Sequence, residues 1–321
     1  MKILILRFSS IGDIVLTTPV VRCLKEQLPE VEIHYATKPQ YAGILEANPH
    51  IDKVITLQGS VSSLAKSLRN EKYTAVLDLH ANLRTRLLRT LLPGVSFHVF
   101  RKQNLRKWLL VKKLSTKPCE HVVYRYMDTI KKWGVKYDGK GLDFFYTESE
   151  VNGLQGMRYT AYAIGGTWAT KRMPLNKIEE LIKTSNEYWV LLGDGNDSQV
   201  GEILASQFTD RVTNMCGKLT LDQSAQVLAS ATKVVTHDTG LMHIAAALRK
   251  PIVSIWGNTI PDFGMGPFLP ETMNSKPILA EVAGVACRPC SKIGFNACPK
   301  GHFDCMQKQS MVEISKLLHQ M

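Results

Sequence analysis

Short apolar runs alternate with stretches of helical period along most of this chain, and that alternation predicts its architecture. Lys2–Arg7, Val31–Ala36, Lys53–Leu57 and Ala75–Asp78 read as strands. Between them, Thr18 followed by Pro19 opens a helix to about Leu28, because proline suits the first helical position. Gln40–Ala47, Ser60–Asn70 and Leu83–Leu92 carry helical spacing as well. A second series starts near Arg158, with strands at Tyr159–Ile164, Trp189–Leu192, Val212–Met215, Lys233–Thr236 and Ile252–Trp256. Its helices are Asn176–Asn186, Ser198–Gln207, Leu221–Ser230 and Gly240–Leu248. Such alternation predicts parallel sheets covered by helices on both faces. Tyr137–Gln155 is charged, bears glycine and has no period, so the linker is placed at 147–157. The expected organisation is one Rossmann-like domain over residues 1–150 and another over 151–321. Two such domains are expected to face a central cleft at the carboxyl ends of their strands, where ligands bind.

The 321 residues are 45% hydrophobic, which fits packed cores and not a disordered chain. No window approaches the ~20 apolar residues that cross a bilayer. The apolar opening is cut by Arg7 before it reaches signal-peptide length, so the expected compartment is the cytoplasm. The net charge of +12 is unevenly spread: residues 1–118 hold 19 Lys and Arg against 8 Asp and Glu, and 151–321 hold 16 against 14. Residues 69–117 alone hold 12 against 2. A surplus confined to one stretch attracts phosphates, nucleic acid or an anionic membrane surface, and a ligand is expected there rather than a merely solvated face. Within it, Trp108-Leu109-Leu110-Val111 beside Lys112 and Lys113 reads either as an interfacial wedge or as a buried helix face.

Four strand-end loops carry the candidate chemistry. Arg7-Phe8-Ser9-Ser10-Ile11-Gly12-Asp13 follows the first strand. Gly12 permits close backbone approach, Ser9 and Ser10 offer hydroxyls, and Asp13 is either a helix cap or a general base. Gly-x-Gly-x-x-Gly is absent there, which weighs against NAD chemistry. Asp238-Thr239-Gly240-Leu241 ends a strand where a small-residue helix begins, a ready seat for pyrophosphate on free N–H groups. His243 on that helix is a ligand contact or a hydrogen-bonded core histidine. Gly165-Gly166-Thr167-Trp168-Ala169-Thr170-Lys171-Arg172 supplies glycines, hydroxyls and two cations, the parts of a phosphate clamp. Leu192-Gly193-Asp194-Gly195-Asn196-Asp197 is an ordinary turn or the source of a ribose-binding acid.

Together these loops resemble the lipopolysaccharide heptosyltransferases of glycosyltransferase family 9, over nearly the whole chain. The resemblance is carried by Ile5-Leu6-Arg7-Phe8-Ser9-Ser10-Ile11-Gly12-Asp13 and by Asp238-Thr239-Gly240-x-x-His243-x-Ala245-Ala246, and Leu77-Asp78-Leu79-His80 with Arg84 and Arg86 is similar too. It implies an α/β GT-B fold and an inverting, metal-independent glycosyltransferase with no cofactor. That enzyme would move a heptose or related sugar from an ADP-sugar to a lipopolysaccharide inner-core acceptor. Asp13 matches the family's base. Thr167, Lys171, Asp197, Asp238, Thr239, Gly240, Leu241 and His243 match its donor side, although Met173 replaces the aromatic residue expected before Pro174. Ser10, Gly12, Arg84 and Arg86 are assigned to the acceptor. The implied partners are ADP-heptose and an anionic glycolipid, with peripheral contact at the inner face of the inner membrane and no nucleic acid.

Cys287, Cys290, Cys298 and Cys305, with His302 nearby, offer soft ligands, but the wide second pair departs from zinc-ribbon spacing. The cluster is read as a structural loop knot, with a zinc site as the alternative reading, and no metal is assigned. Two rival functions are a nucleic-acid-binding protein using 69–117 and a GT-B nucleotide-sugar epimerase.

Overall fold

A computed structural model describes all residues 1–321. Its tertiary contacts separate two units, Met1–Gln103 with Glu120–Tyr146, and Asn104–Cys119 with Thr147–Met321.

The first unit is built on five parallel strands, β1 (Lys2–Leu6), β2 (Glu32–Thr37), β3 (Lys53–Thr56), β4 (Ala75–Asp78) and β5 (Ser96–Val99), in the order β3-β2-β1-β4-β5. β1 is central, and Ile3, Leu4, Ile5 and Leu6 are all fully buried, as a strand covered on both faces requires. The edge strand β5 alternates polar and apolar residues and is half exposed, which is why its short run escapes a sequence reading. Helix Thr18–Gln27 carries a charged anchor: Arg22, 4% exposed, pairs with Asp138 and Asp143 and donates to the Gly141 carbonyl at 2.9 Å. It ties the otherwise irregular 137–143 segment to the unit.

The second unit holds six parallel strands: β6 (Thr160–Ala163), β7 (Trp189–Leu192), β8 (Val212–Asn214), β9 (Lys233–His237), β10 (Ile252–Trp256) and β11 (Ile278–Glu281). Their order is β11-β10-β9-β6-β7-β8. Tyr162, Trp189, Leu191 and Val253 share a core with Ile178, Leu181, Ile314 and Leu318 from helices Leu175–Thr184 and Met311–His319. Trp189 keeps its indole N–H satisfied on Ser185 Oγ at 3.1 Å.

Most expected elements form within a residue or two of their predicted bounds. The expected helix Gln40–Ala47 is instead a single 3₁₀ turn, Pro39–Tyr41, followed by a four-residue helix, Gly43–Glu46. Pro39 starts that turn, and glycine has low helix propensity at the junction. A short helix, Ile11–Val15, precedes the one opened by Thr18 and Pro19, and it carries Asp13.

Candidate active site

In the first unit, the end of β1 delivers Arg7 and the turn Ser9-Ser10 directly into helix Ile11–Val15. Asp13 sits in the first helical turn, its side chain 25% exposed, 2.7 Å from Arg7 Nη2. Ser10 donates to the same carboxylate through its hydroxyl at 2.9 Å and its N–H at 3.4 Å. The Asp13 carboxylate thus accepts the N-cap N–H at the start of its own helix while it pairs with Arg7. Gly12, in the same helix, is buried. Burial pushes the Asp13 carboxyl up, but the Arg7 guanidinium and the Ser10 hydrogen bonds outweigh it and hold the group below its ordinary value. Arg7 is fixed in turn by donating to the Ser9 carbonyl at 2.7 Å, the Leu79 carbonyl at 2.6 Å and Tyr126 Oη at 3.1 Å.

His80, just past β4, packs its ring 5.7 Å from that of Phe8. Burial and the cations Arg7, Lys102 and Arg84 push it down to about 3, against the pull of Asp13, so it is a neutral imidazole at working pH. Arg84 and Arg86 project into solvent from helix Leu83–Leu91, beside the exposed Leu83 and Leu87, and do not join the Asp13 cluster by contact. Sequence reading quotes Arg7 and His80 within motifs but gives neither a role. The signal for Arg7 is a lone cation ending an otherwise apolar buried strand.

In the second unit, loops at the ends of β6, β7, β9 and β10 converge. Lys171, in the 3₁₀ turn Ala169–Lys171, places Nζ 2.6 Å from Asp238 Oδ2, which also accepts the Thr259 hydroxyl at 2.9 Å. Arg172 pairs with Asp197 at 3.3 Å. Asp197 is buried and accepts the Asp194 N–H at 3.0 Å, and a Cβ on Gly165 would come within 2.3 Å of its carboxylate. Gly165 and Gly193 thus leave the space this carboxylate occupies. A Cβ on Gly166 would touch both Arg172 and Thr239, which puts the glycine loop beside the Asp238 turn. Thr239 is the N-cap of helix Gly240–Ala247 and gives no side-chain cap, so no capping side chain takes up the first-turn N–H groups, Gly240 and Leu241 among them. Thr167 is exposed at the loop tip, whereas His243 is 3% exposed inside its helix.

A cavity of about 330 Å³ opens beside these groups, lined by Ile164, Arg172, Met173, Asp197, Val200 and Phe303 among others. Beneath it, the fully buried His237 accepts the Met173 N–H on Nε2 at 3.2 Å and lies against Tyr162 Oη. Burial pushes His237 down to about 4.

The cysteine segment braces these loops. Thr170 and Phe295 exchange hydrogen bonds, Phe295 N–H to Thr170 Oγ1 at 2.8 Å and Thr170 N–H to the Phe295 carbonyl at 3.2 Å. Arg288 donates to the Gly257 and Thr259 carbonyls, and Cys290 N–H to the Asn258 carbonyl at 3.2 Å. Cys287 Sγ is 3.7 Å from His302 Nε2, and burial with neighbouring thiols pushes Cys290 up to about 12. No group of three or more His, Cys, Asp or Glu side chains is placed to hold a metal ion.

Residues 61–283 match the glycosyltransferase family 9 (heptosyltransferase) domain. Lipopolysaccharide heptosyltransferase 2 of Escherichia coli K12 is 25% identical over 295 residues, covering 82% of this chain and 84% of that protein. The family 9 glycosyl transferase structure from Veillonella parvula superposes with a TM-score of 0.78 at 19% identity, over 99% of this chain and 96% of that one. The E. coli heptosyltransferase WaaC with ADP does so with a TM-score of 0.73 at 20% identity, over 100% and 99%. The two parallel-sheet α/β units are accordingly a GT-B fold, and the chain belongs to glycosyltransferase family 9, the heptosyltransferases.

Proposed function

We propose that this enzyme transfers a heptose from an ADP-sugar to the inner core of lipopolysaccharide, with inversion and without a metal. The observation that carries the reading is the convergence in the second unit of Lys171, Arg172 and the uncapped helix start at Thr239-Gly240. Two cations and a row of N–H groups suit a diphosphate, and they supply in place the positive charge that a departing ADP needs. The adjoining cavity has the volume of a small-ligand site, and Asp197 on its wall is suited to ribose hydroxyls. ADP is the nucleotide named in the WaaC structure.

On this reading Asp13 takes the proton from the acceptor hydroxyl as that oxygen attacks the anomeric carbon on the face opposite the diphosphate. Its carboxylate stays ionised because Arg7 and Ser10 favour the charged form. Ser10 and Gly12 shape the acceptor seat, and Arg84 and Arg86 meet its anionic groups. The first unit takes the acceptor and the second the donor. The acceptor is an anionic glycolipid, and the protein works in the cytoplasm as a peripheral partner of the inner membrane.

Product analysis with ADP-heptose, with and without a heptose-free inner-core acceptor, tests the reading. Sugar should appear on the acceptor with ADP released, and none of the donor should be epimerised when the acceptor is left out. Conversion of donor without acceptor would replace transfer by epimerisation.

A further inference from the structure

Helix Asn104–Val111 and the loop after it belong to the basic stretch, yet they pack with the second unit. Leu110 and Cys119 are buried against Phe263, with Val111 and Ile260 at the margin. Lys107 lies over the Phe263 ring, and the Cys119 N–H donates to the Asp262 carbonyl at 2.8 Å. The apolar run is therefore divided. Leu110 and Val111 hold the segment down, while Leu105, Trp108 and Leu114 are 71%, 48% and 67% exposed. Leu105, Trp108 and Lys112 follow at intervals of three and four, the spacing of one helix face. Residues 104–119 contain five Lys and Arg and no Asp or Glu, and Lys112, Lys113 and Lys117 are exposed.

We propose that this face is a docking surface for an anionic lipid bilayer. Leu105, Trp108 and Leu114 enter the headgroup boundary, and Lys112, Lys113 and Lys117 meet the lipid phosphates around them. Charge complementarity selects the occupant. A nucleic acid would use the lysines and leave the two exposed leucines without a function, whereas an acyl boundary uses both sets. The inference rests on the reading of the acceptor as a membrane-held glycolipid. It adds that the unit assigned to the donor carries the membrane contact.

Sedimentation of the full-length protein with phosphatidylethanolamine–phosphatidylglycerol vesicles tests it. The protein should pellet with these vesicles, stay in solution with phosphatidylcholine vesicles, and bind less as salt rises. Leu105→Ser with Leu114→Ser, at the two most exposed positions, should weaken vesicle binding roughly tenfold or more at an unchanged melting temperature. Adding Trp108→Ser should weaken it further. Both variants should retain wild-type transfer to a lipid-free, water-soluble core acceptor. Equal binding to phosphatidylcholine, unaltered vesicle binding by the variants, or displacement from vesicles by an oligonucleotide that binds wild type and variants alike would overturn the docking surface. Failure of the wild type to modify the soluble acceptor would overturn the transferase reading and leave the vesicle result intact.

Discussion

Lys171 and Asp238 form an ion pair of 2.6 Å in which both side chains are largely shielded, 16% and 14% exposed. The cation assigned to the donor's phosphates is thus held in position by the carboxylate that follows β9, and Thr259 holds that carboxylate in turn. On the proposed donor reading, an arriving diphosphate would share an ammonium that is already ordered. Lys171→Ala should weaken ADP binding by about 1.5–3 kcal/mol, the range for a charge-assisted hydrogen bond. Calorimetric titration with ADP reads this directly, and an unchanged affinity would remove Lys171 from the site.

Asp13→Asn should reduce kcat by about 10²- to 10⁴-fold while ADP affinity stays at the wild-type value. Because Arg7 and Ser10 lower the Asp13 pKa, the wild-type rate should show no loss assignable to this group between neutral pH and the ordinary carboxylate range. The same direction fixes the stability term. The Arg7–Asp13 pair stabilises the fold above the unfolded carboxyl value of about 3.9 and loses that contribution as pH falls through the lower folded value. An acid limb near neutrality that disappears in Asp13→Asn would contradict this assignment.

His237 should make the second unit acid-sensitive. Its folded pKa of about 4 lies below the unfolded value of about 6.5, so its contribution is complete above the unfolded value and drains away as pH falls towards the folded one. Between pH 7 and pH 5 this amounts to about 2 kcal/mol. Protonation also removes the acceptor for the Met173 N–H, next to Arg172. Melting temperatures across that interval should fall in the wild type and fall less in His237→Gln, whose amide oxygen can still accept. Equal slopes would exclude His237 as the source.

Gly165→Ala should disturb the proposed donor site without replacing a charged residue. The new methyl would lie 2.3 Å from the Asp197 carboxylate, so either that carboxylate or the loop has to shift. A loss of about 1–3 kcal/mol of stability is expected from overpacking, together with weaker ADP binding. Gly195→Ala, where nothing lies within 4 Å of the added carbon, is the control and should leave ADP affinity unchanged.

Arg22 tests the fold away from the site. Removing it in Arg22→Ala strands the shielded carboxylates Asp138 and Asp143 and should cost about 3–5 kcal/mol, read as a lower urea midpoint. The donor affinity of the folded fraction should not change.

The strand-end loops are legible because each couples a short apolar run to a glycine or hydroxyl turn and then to a helix. That is how the Asp13 turn, the Lys171 loop and the Asp238 turn could be marked in advance. What stayed hidden has no periodic trace. Arg7 reaches Asp13 only because the chain doubles back after β1, and Thr259 meets Asp238 across 21 positions of sequence. The bracing of Thr170 by Phe295 spans 125 residues, so the purpose of the cysteine segment could not be read from its spacing. Asn258 is 2% exposed with neither side-chain atom hydrogen-bonded, and its surroundings are likewise set by the fold alone. The apolar run at Trp108 was legible as a helix face, but which of its residues would be covered depended on Phe263.

Because Asn104–Cys119 is housed with the second unit, the polypeptide passes from one unit to the other three times, after Gln103, after Cys119 and after Tyr146. No single cut therefore yields two complete halves. A fragment ending at Tyr146 would carry Leu110 and Cys119 without the Phe263 that shelters them, and a fragment starting at Thr147 would leave that phenylalanine bare. Independent production of either unit calls for excising the 104–119 segment from the first and returning it to the second, as a grafted loop or a permuted chain.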